Sequence, residues 1–151
     1  MKGFTMKKFL LPLSLMLMFV STAFSQGKGL GLGLELSGVG LTAKYWMSGG
    51  SAAALTVTDG GLNADYLLAN YDMIKLGKVT SPVHYGLGLG IHSSKNSNGE
   101  KDNTITLRVP LGMDFYIPNH PIDIYWSLIP GLKLDGFDFG IGYDVGVRYF
   151  F

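Results

Sequence analysis

One pattern governs most of this chain: from Leu30 onward, apolar residues occupy every second position, with glycine or a polar residue between. Leu30, Leu32, Leu34 and Leu36 alternate with Gly29, Gly31, Gly33 and Glu35, and Leu41, Ala43, Tyr45 and Met47 with Thr42, Lys44 and Trp46. A weak segment follows at Ala53, Leu55 and Val57, then further alternation at Leu62, Ala64, Tyr66 and Leu68, and at Val83, Tyr85, Leu87, Leu89 and Ile91. The clearest segments come last: Ile105 to Phe115, Ile122 to Leu128, and Phe139 to Phe151. A period of two belongs to strands, not helices. The pattern predicts eight of them and an all-β fold.

The two faces differ sharply. The apolar face of every segment is free of charge, whereas the other carries Glu35, Lys44, Asp65, Arg108, Asp114, Asp123, Asp138, Asp144 and Arg148 among many glycines. A soluble sandwich would coat its outer face with Lys and Glu. A face of glycines with a few charges makes a poor coat but a good crowded interior, where small residues leave room for long ones opposite. The sides therefore invert: the apolar residues face lipid and the polar ones face in. Unpaired backbone groups are not tolerated in lipid, so the strands must close on themselves. The expected architecture is an eight-stranded antiparallel up-and-down transmembrane barrel spanning 26–151, with a polar, filled lumen and no open pore. Its predicted lumen charge network sets Lys44, Arg108 and Arg148 against Glu35, Asp65, Asp114 and Asp144.

The first residues agree with that address. Lys2, Lys7 and Lys8 precede an apolar run from Phe9 to Val20, and Ala23-Phe24-Ser25 ends the segment with small residues. This reads as a secretory signal over 1–25, cleaved before Gln26, and its apolar run is too short for a bilayer of about 30 Å. Removing that segment, with three lysines and no acid, takes the formal charge from +1 to −2. Such a chain lacks the basic stripe that nucleic acid requires. With no cysteine, disulfides, thiolate metal sites and an N-terminal lipid anchor are excluded.

An even number of strands puts both ends of the ring's chain on one side, the periplasmic side in this class, which carries the short turns. Tyr45, Tyr66, Phe115, Tyr149 and Phe151 fall near that side, as aromatic residues do at the lipid headgroups. The polar stretch Ser93 to Asn103 reads as an outer loop, and Tyr71 to Pro82 as a long turn whose ends extend the flanking strands. Pro110 and Pro130 lie inside strands of a sheet without edges, so a bulge or break is expected at each.

The C-terminal alternation of Tyr143, Val145, Val147 and Tyr149 toward Phe151 resembles the closing strand of outer-membrane proteins, the assembly signal read by the barrel-assembly machinery. More broadly the chain resembles small OmpX/OmpA-like outer-membrane barrels of unknown function. The likeness lies in Leu41-Thr-Ala-Lys-Tyr-Trp46, Asn63-Ala-Asp-Tyr66, Tyr85-Gly-Leu-Gly88, Leu107-Arg-Val-Pro-Leu-Gly112, Pro121-Ile-Asp-Ile124 and Val147-Arg-Tyr-Phe-Phe151. It implies a fold and an outer-membrane location in a Gram-negative-type bacterium, with membrane lipids as partners, and carries no catalytic residues. Where it leads one to expect an inward Glu, this chain has Ser127.

Catalytic motifs are weak. Gly29-Leu-Gly-Leu-Gly33 and Gly86-Leu-Gly-Leu-Gly90 open no helix, so they are strand glycines and not dinucleotide loops. His92-Ser93-Ser94 is faintly similar to the His-x-Ser motif of lipid A deacylases, with Ser94 as nucleophile, His92 as base and Glu100 to orient it. That alternative stands behind a non-enzymatic barrel of structural or surface-interaction role. A soluble lipocalin-like ring is a third reading, with an apolar lumen and polar exterior. No histidine pair has metal-ligand spacing, and Asp135-Gly136-Phe137-Asp138 reads as a turn with too few ligands for Ca²⁺. No cofactor is implied.

Overall fold

The computed structural model describes residues 29–70, 75–76, 79–95 and 101–151. The expected signal segment, 1–25, lies outside them. The described chain is β-strand almost throughout: β1 Gly29–Glu35, β2 Gly40–Trp46, β3 Ser51–Thr58, β4 Gly61–Asn70, β5 Lys75–Leu76, β6 Val79–Thr80, β7 Val83–Lys95, β8 Lys101–Arg108, β9 Leu111–Tyr116, β10 Ile122–Lys133 and β11 Asp138–Phe150. Apart from β5 and β6, which pair only with each other, they form one antiparallel sheet of nine strands. β1 to β4 pair in succession, β4 pairs with β7, β7 with both β8 and β9, both of these with β10, and β10 with β11, which returns to β1 with Gly31 opposite Phe150. The sheet is thus a ring. β8 and β9 share one place in it, both lying between β7 and β10, so the ring has the eight positions read from the alternation.

The prolines act more gently than bulges. Between β8 and β9 the ladder lapses at Val109 and Pro110, yet Tyr85 opposite Leu111 and Gly88 opposite Arg108 belong to one unbroken register. At Pro130 β10 does not break at all, and Pro130 stays opposite Ile141. Gly86 N–H donates to the Pro110 carbonyl at 3.0 Å, and Val109 N–H to that of Pro130 at 2.9 Å. Each proline accepts but cannot donate in return, so each pair loses one bond and keeps its place. The expected local break is thus present at Pro110, without a change of register, and absent at Pro130.

Two turns also differ from expectation. Within 71–82, the described β5 and β6 pair with each other and not with β4 or β7. The outer segment is partly laddered, with Ser93 opposite Asn103 and Ser94 opposite Asp102. At the other end, Gly49 and Gly50 turn the chain at φ of 79° and 77°, a region that favours glycine.

Alternation sorts the faces as the sequence implied. Leu107 is 39% exposed and its neighbour Arg108 only 6%. Leu41, Leu87, Ile141 and Tyr143 are likewise exposed, whereas Lys44, Asp114 and Asp123 are wholly buried within the ring. The interior is not polar throughout. Trp46, Ala52, Leu67, Tyr116 and Phe150 form an apolar plug at the end where β1 begins and β11 ends. Tyr116 and Phe150 meet there edge to face at 6.1 Å. Such rings present opposed quadrupoles and fill volume without an unpaired charge.

Glycines make the packing possible. A β-carbon on Gly31 would stand 2.7 Å from the Phe150 ring, one on Gly112 2.7 Å from His84 Nε2, and one on Gly146 2.6 Å from Tyr125 Cε1. Near the other end, a β-carbon on Gly140 would meet nothing within 4 Å. Two substitutions on the same face of β11 should therefore behave oppositely. Gly146→Val should destabilise the ring by about 1–3 kcal/mol through overpacking, lowering its urea midpoint, while Gly140→Val should not lower the midpoint and should raise it where the added group gains contacts.

Candidate functional site

The inward side chains of β2, β7, β9, β10 and β11 meet in one buried cluster above the plug. Lys44 reaches Asp114 Oδ2 at 2.6 Å and stacks its ammonium 4.3 Å above the Trp46 ring. His84 Nδ1 meets the same carboxylate oxygen at 2.9 Å, and Arg148 lies 3.5 Å from Asp114 Oδ1. Arg148 also lies 3.5 Å from Asp123 Oδ1 and 3.6 Å from the Tyr125 ring centre. The Asp123 oxygens make no hydrogen bond within the described residues, so Arg148 holds them by charge alone. Two cations and two carboxylates balance here.

A second group sits farther from the plug. Arg108 donates from Nε to Asp65 Oδ1 at 3.1 Å, and from Nη2 to Asp144 Oδ2 at 2.7 Å. Glu35 accepts from the Tyr125 and Ser37 hydroxyls, from Ser37 N–H at 3.2 Å and from Val145 N–H at 3.1 Å. A carboxyl taking four donors behaves as an acceptor throughout, and all four donors are neutral.

The structure thus brings Lys44, Arg148 and Asp114 into one cluster and Arg108, Asp65 and Asp144 into another. Glu35 joins through neutral donors and not through a cation. Asp123, His84, Tyr125 and Ser127 complete the first cluster. Alternation had placed Asp123 inward, but nothing in the sequence indicated which height in the ring it would share. In the seventh strand of the ring, β10, Ser127 does not serve Arg108. Its Oγ lies 2.8 Å from His84 Nε2, and Arg108 takes its partners from β4 and β11.

Ser127, His84 and Asp114 therefore have the connectivity of a hydrolytic triad, which the sequence reading missed because the three lie far apart in the chain. Their surroundings oppose catalysis. Exposures are 4%, 2% and 0%, and Asp114 is also engaged by Lys44 and Arg148. Gly112 fits against both Ser127 Oγ and His84 Nε2 with no room for even a β-carbon. A nucleophile needs space for the atom it attacks, so this chain of bonds is a brace between β7, β9 and β10. Of the outer candidates, His92 is half-buried at the rim of the ring, Ser94 is exposed, and Glu100 lies outside the described residues.

On the outer face of β11, Tyr143 and Tyr149 are exposed and Val145 and Val147 half-buried. Tyr149 packs edge to face on Phe151 at 5.1 Å. Asp135 accepts from Thr104 at 3.1 Å, and Lys133 lies 3.5 Å from Asp138. Among the described residues no three His, Asp or Glu side chains are grouped to hold a metal. A cavity of about 470 Å³ opens above Arg108, lined by Glu35, Asn63, His92, Lys133 and Asp144 among others. In comparisons with known proteins, no family model, no curated protein and no solved structure matches this chain.

Asp114→Ala strands Lys44 and Arg148 inside the ring and should cost about 3–5 kcal/mol. Lys133→Ala removes a pair whose members are 53% and 70% exposed, and should cost no more than about 1 kcal/mol. Urea unfolding compares the two. As a brace, Ser127 should remain unlabelled by a fluorophosphonate probe in the folded protein, and labelling would revive the hydrolytic reading.

Proposed function

We propose that this chain is an outer-membrane β-barrel, exported on a cleaved signal peptide, whose interior is blocked by side chains at the plug and charge clusters and whose role is structural or surface-presenting and not catalytic. One observation carries the reading: the outward residues along the ring's strands are apolar, while Glu35, Lys44, Arg108, Asp114, Asp123 and Arg148 are buried within, and the exposed charges Asp102, Lys133 and Asp138 stand at the end farthest from the plug. In water that arrangement would leave an apolar surface far larger than the few hundred Å² that soluble monomers tolerate. It is the reverse of what a soluble ligand-carrying ring requires. In lipid it satisfies both faces, because a closed ring leaves no strand edge unpaired.

The dimensions suit a bilayer. Strands of 12 and 13 residues, as in β10 and β11, rise about 3.4 Å per residue and, tilted by about 45°, cross close to the 30 Å of a hydrocarbon core. Among the described residues no helix is long and apolar enough to cross a membrane. Outward Tyr45, Tyr66 and Tyr149 near one end, with Phe139 and Tyr143 near the other, suit the headgroup levels. The outer face of β11, from Tyr143 to Phe151, is the surface offered to the barrel-assembly machinery, and membrane lipids are the standing partners. The plug and the charge clusters argue against a pore.

Fractionation of cells producing the full chain should place it in the outer membrane. Its unheated form should migrate faster than its boiled form on a detergent gel. Reconstituted in planar bilayers, it should pass no steady current. Recovery from the soluble periplasm would overturn the membrane reading, and a stable single-channel conductance would overturn the closed interior.

A further inference from the structure

The half of the ring farthest from the plug is hollow, and its hollowness is written in particular residues. Gly131 and Gly140 face one another across β10 and β11. A β-carbon on Gly140 would touch nothing within 4 Å, and one on Gly142 would meet only the Ile129 carbonyl at 3.8 Å. These absent side chains leave the cavity of about 470 Å³, within the size range of small-molecule sites, roughly 300–1,000 Å³.

Its charge leans negative. Glu35, Asp59 and Asp144 line it against Arg108 and Lys133, and Asp65 pairs with Arg108 beside it. Arg108 is turned to Asp65 and Asp144, and Lys133 at the rim to Asp138, so neither cation is directed to an incoming anion. Asn63, which also lines the cavity, is only 5% exposed, and its Oδ1 has no hydrogen-bond partner among the described residues. That oxygen is turned toward Gly90, 2.6 Å from where a β-carbon there would stand. A buried acceptor without a donor is costly to keep, and a surplus of carboxylates beside it calls for positive charge. The absence of a three-ligand group among the described residues disfavours a bare metal ion.

We propose that this cavity is a binding site for a small organic cation of the amine or polyamine class. Its ammonium group is drawn by Glu35 and Asp144 and donates to Asn63 Oδ1, while its carbon chain lies along the space left by Gly140 and Gly142. The site does not depend on what surrounds the ring, so its failure would leave the membrane reading standing.

Titration calorimetry on the full-length protein, refolded in a zwitterionic detergent at pH 7.5, tests the site with spermidine and putrescine, using glucose and succinate as comparators. Saturable one-to-one binding of spermidine is expected, with no heat from glucose or succinate. Gly140→Leu fills the cavity where there is room, and Asn63→Leu removes the acceptor at similar size; each should weaken spermidine binding at least tenfold while the heat-modifiable gel shift persists. Binding unchanged in both folded variants would place spermidine on the surface acids and overturn the site. So would the absence of spermidine heat at millimolar concentration, or equal binding of glucose or succinate. Should either variant fail to fold, Thr58→Leu at the cavity wall supplies the same comparison.

Discussion

Asp114 is the point on which the ring turns. It faces Lys44 from β2, His84 from β7 and Arg148 from β11, and it stands on β9 itself. Four strands separated by tens of residues in the chain thus converge on one carboxyl that is wholly buried. Burying two cations and a carboxylate is expensive, and only their mutual attraction and hydrogen bonds offset it. A shift of any one strand by a single residue would point its member outward, into the apolar belt. The cluster therefore contributes less to raw stability than to uniqueness: it makes one register tolerable and the neighbouring ones prohibitive. The uniform apolar exterior is the other side of the same alternation.

Much of this was legible in the sequence because a strand's period fixes the face each residue takes. All eight ring positions, and the inward placement of Lys44, Asp65, Arg108, Asp114, Asp144 and Arg148, followed from that period alone. The height of each residue within the ring did not. Height depends on the stagger between neighbouring strands, which closure sets globally, and no local motif records it. For that reason the convergence of Ser127 on His84 was hidden, as was the pairing of Glu35 with Tyr125. The plug was hidden for a simpler reason: Trp46, Leu67 and Phe150 sit on the polar face, and alternation alone reads an apolar residue there as an exception. The break expected at Pro110 is there, but the one expected at Pro130 is not, because a missing donor does not mean a missing register and each proline here still accepts its neighbour's N–H.

Glycine plays two opposite parts along the same inner wall. Near the plug, Gly31, Gly112 and Gly146 each lie beneath a ring of a neighbouring strand, and a methyl group there would collide. These glycines are demanded by packing. Gly140 and Gly142, farther along β11, lie beneath nothing. Gly142 faces Ile129 in register, and even so its inner side stays open.

The contrast bears on why the hollow exists. For a closed sheet, strand number and stagger determine the interior cross-section along its whole length, so geometry alone does not make one half full and the other empty. Residue choice does. A chain selected only to fill its interior would gain contacts from a methyl or larger group at Gly140, since unfilled space forfeits dispersion energy and glycine loses more backbone entropy on folding than any other residue. Keeping glycine there, beside an acceptor without a donor and carboxylates outnumbering cations, forgoes stability on three separate counts. Concessions of this kind, gathered around one opening, are what separates a built recess from imperfect packing.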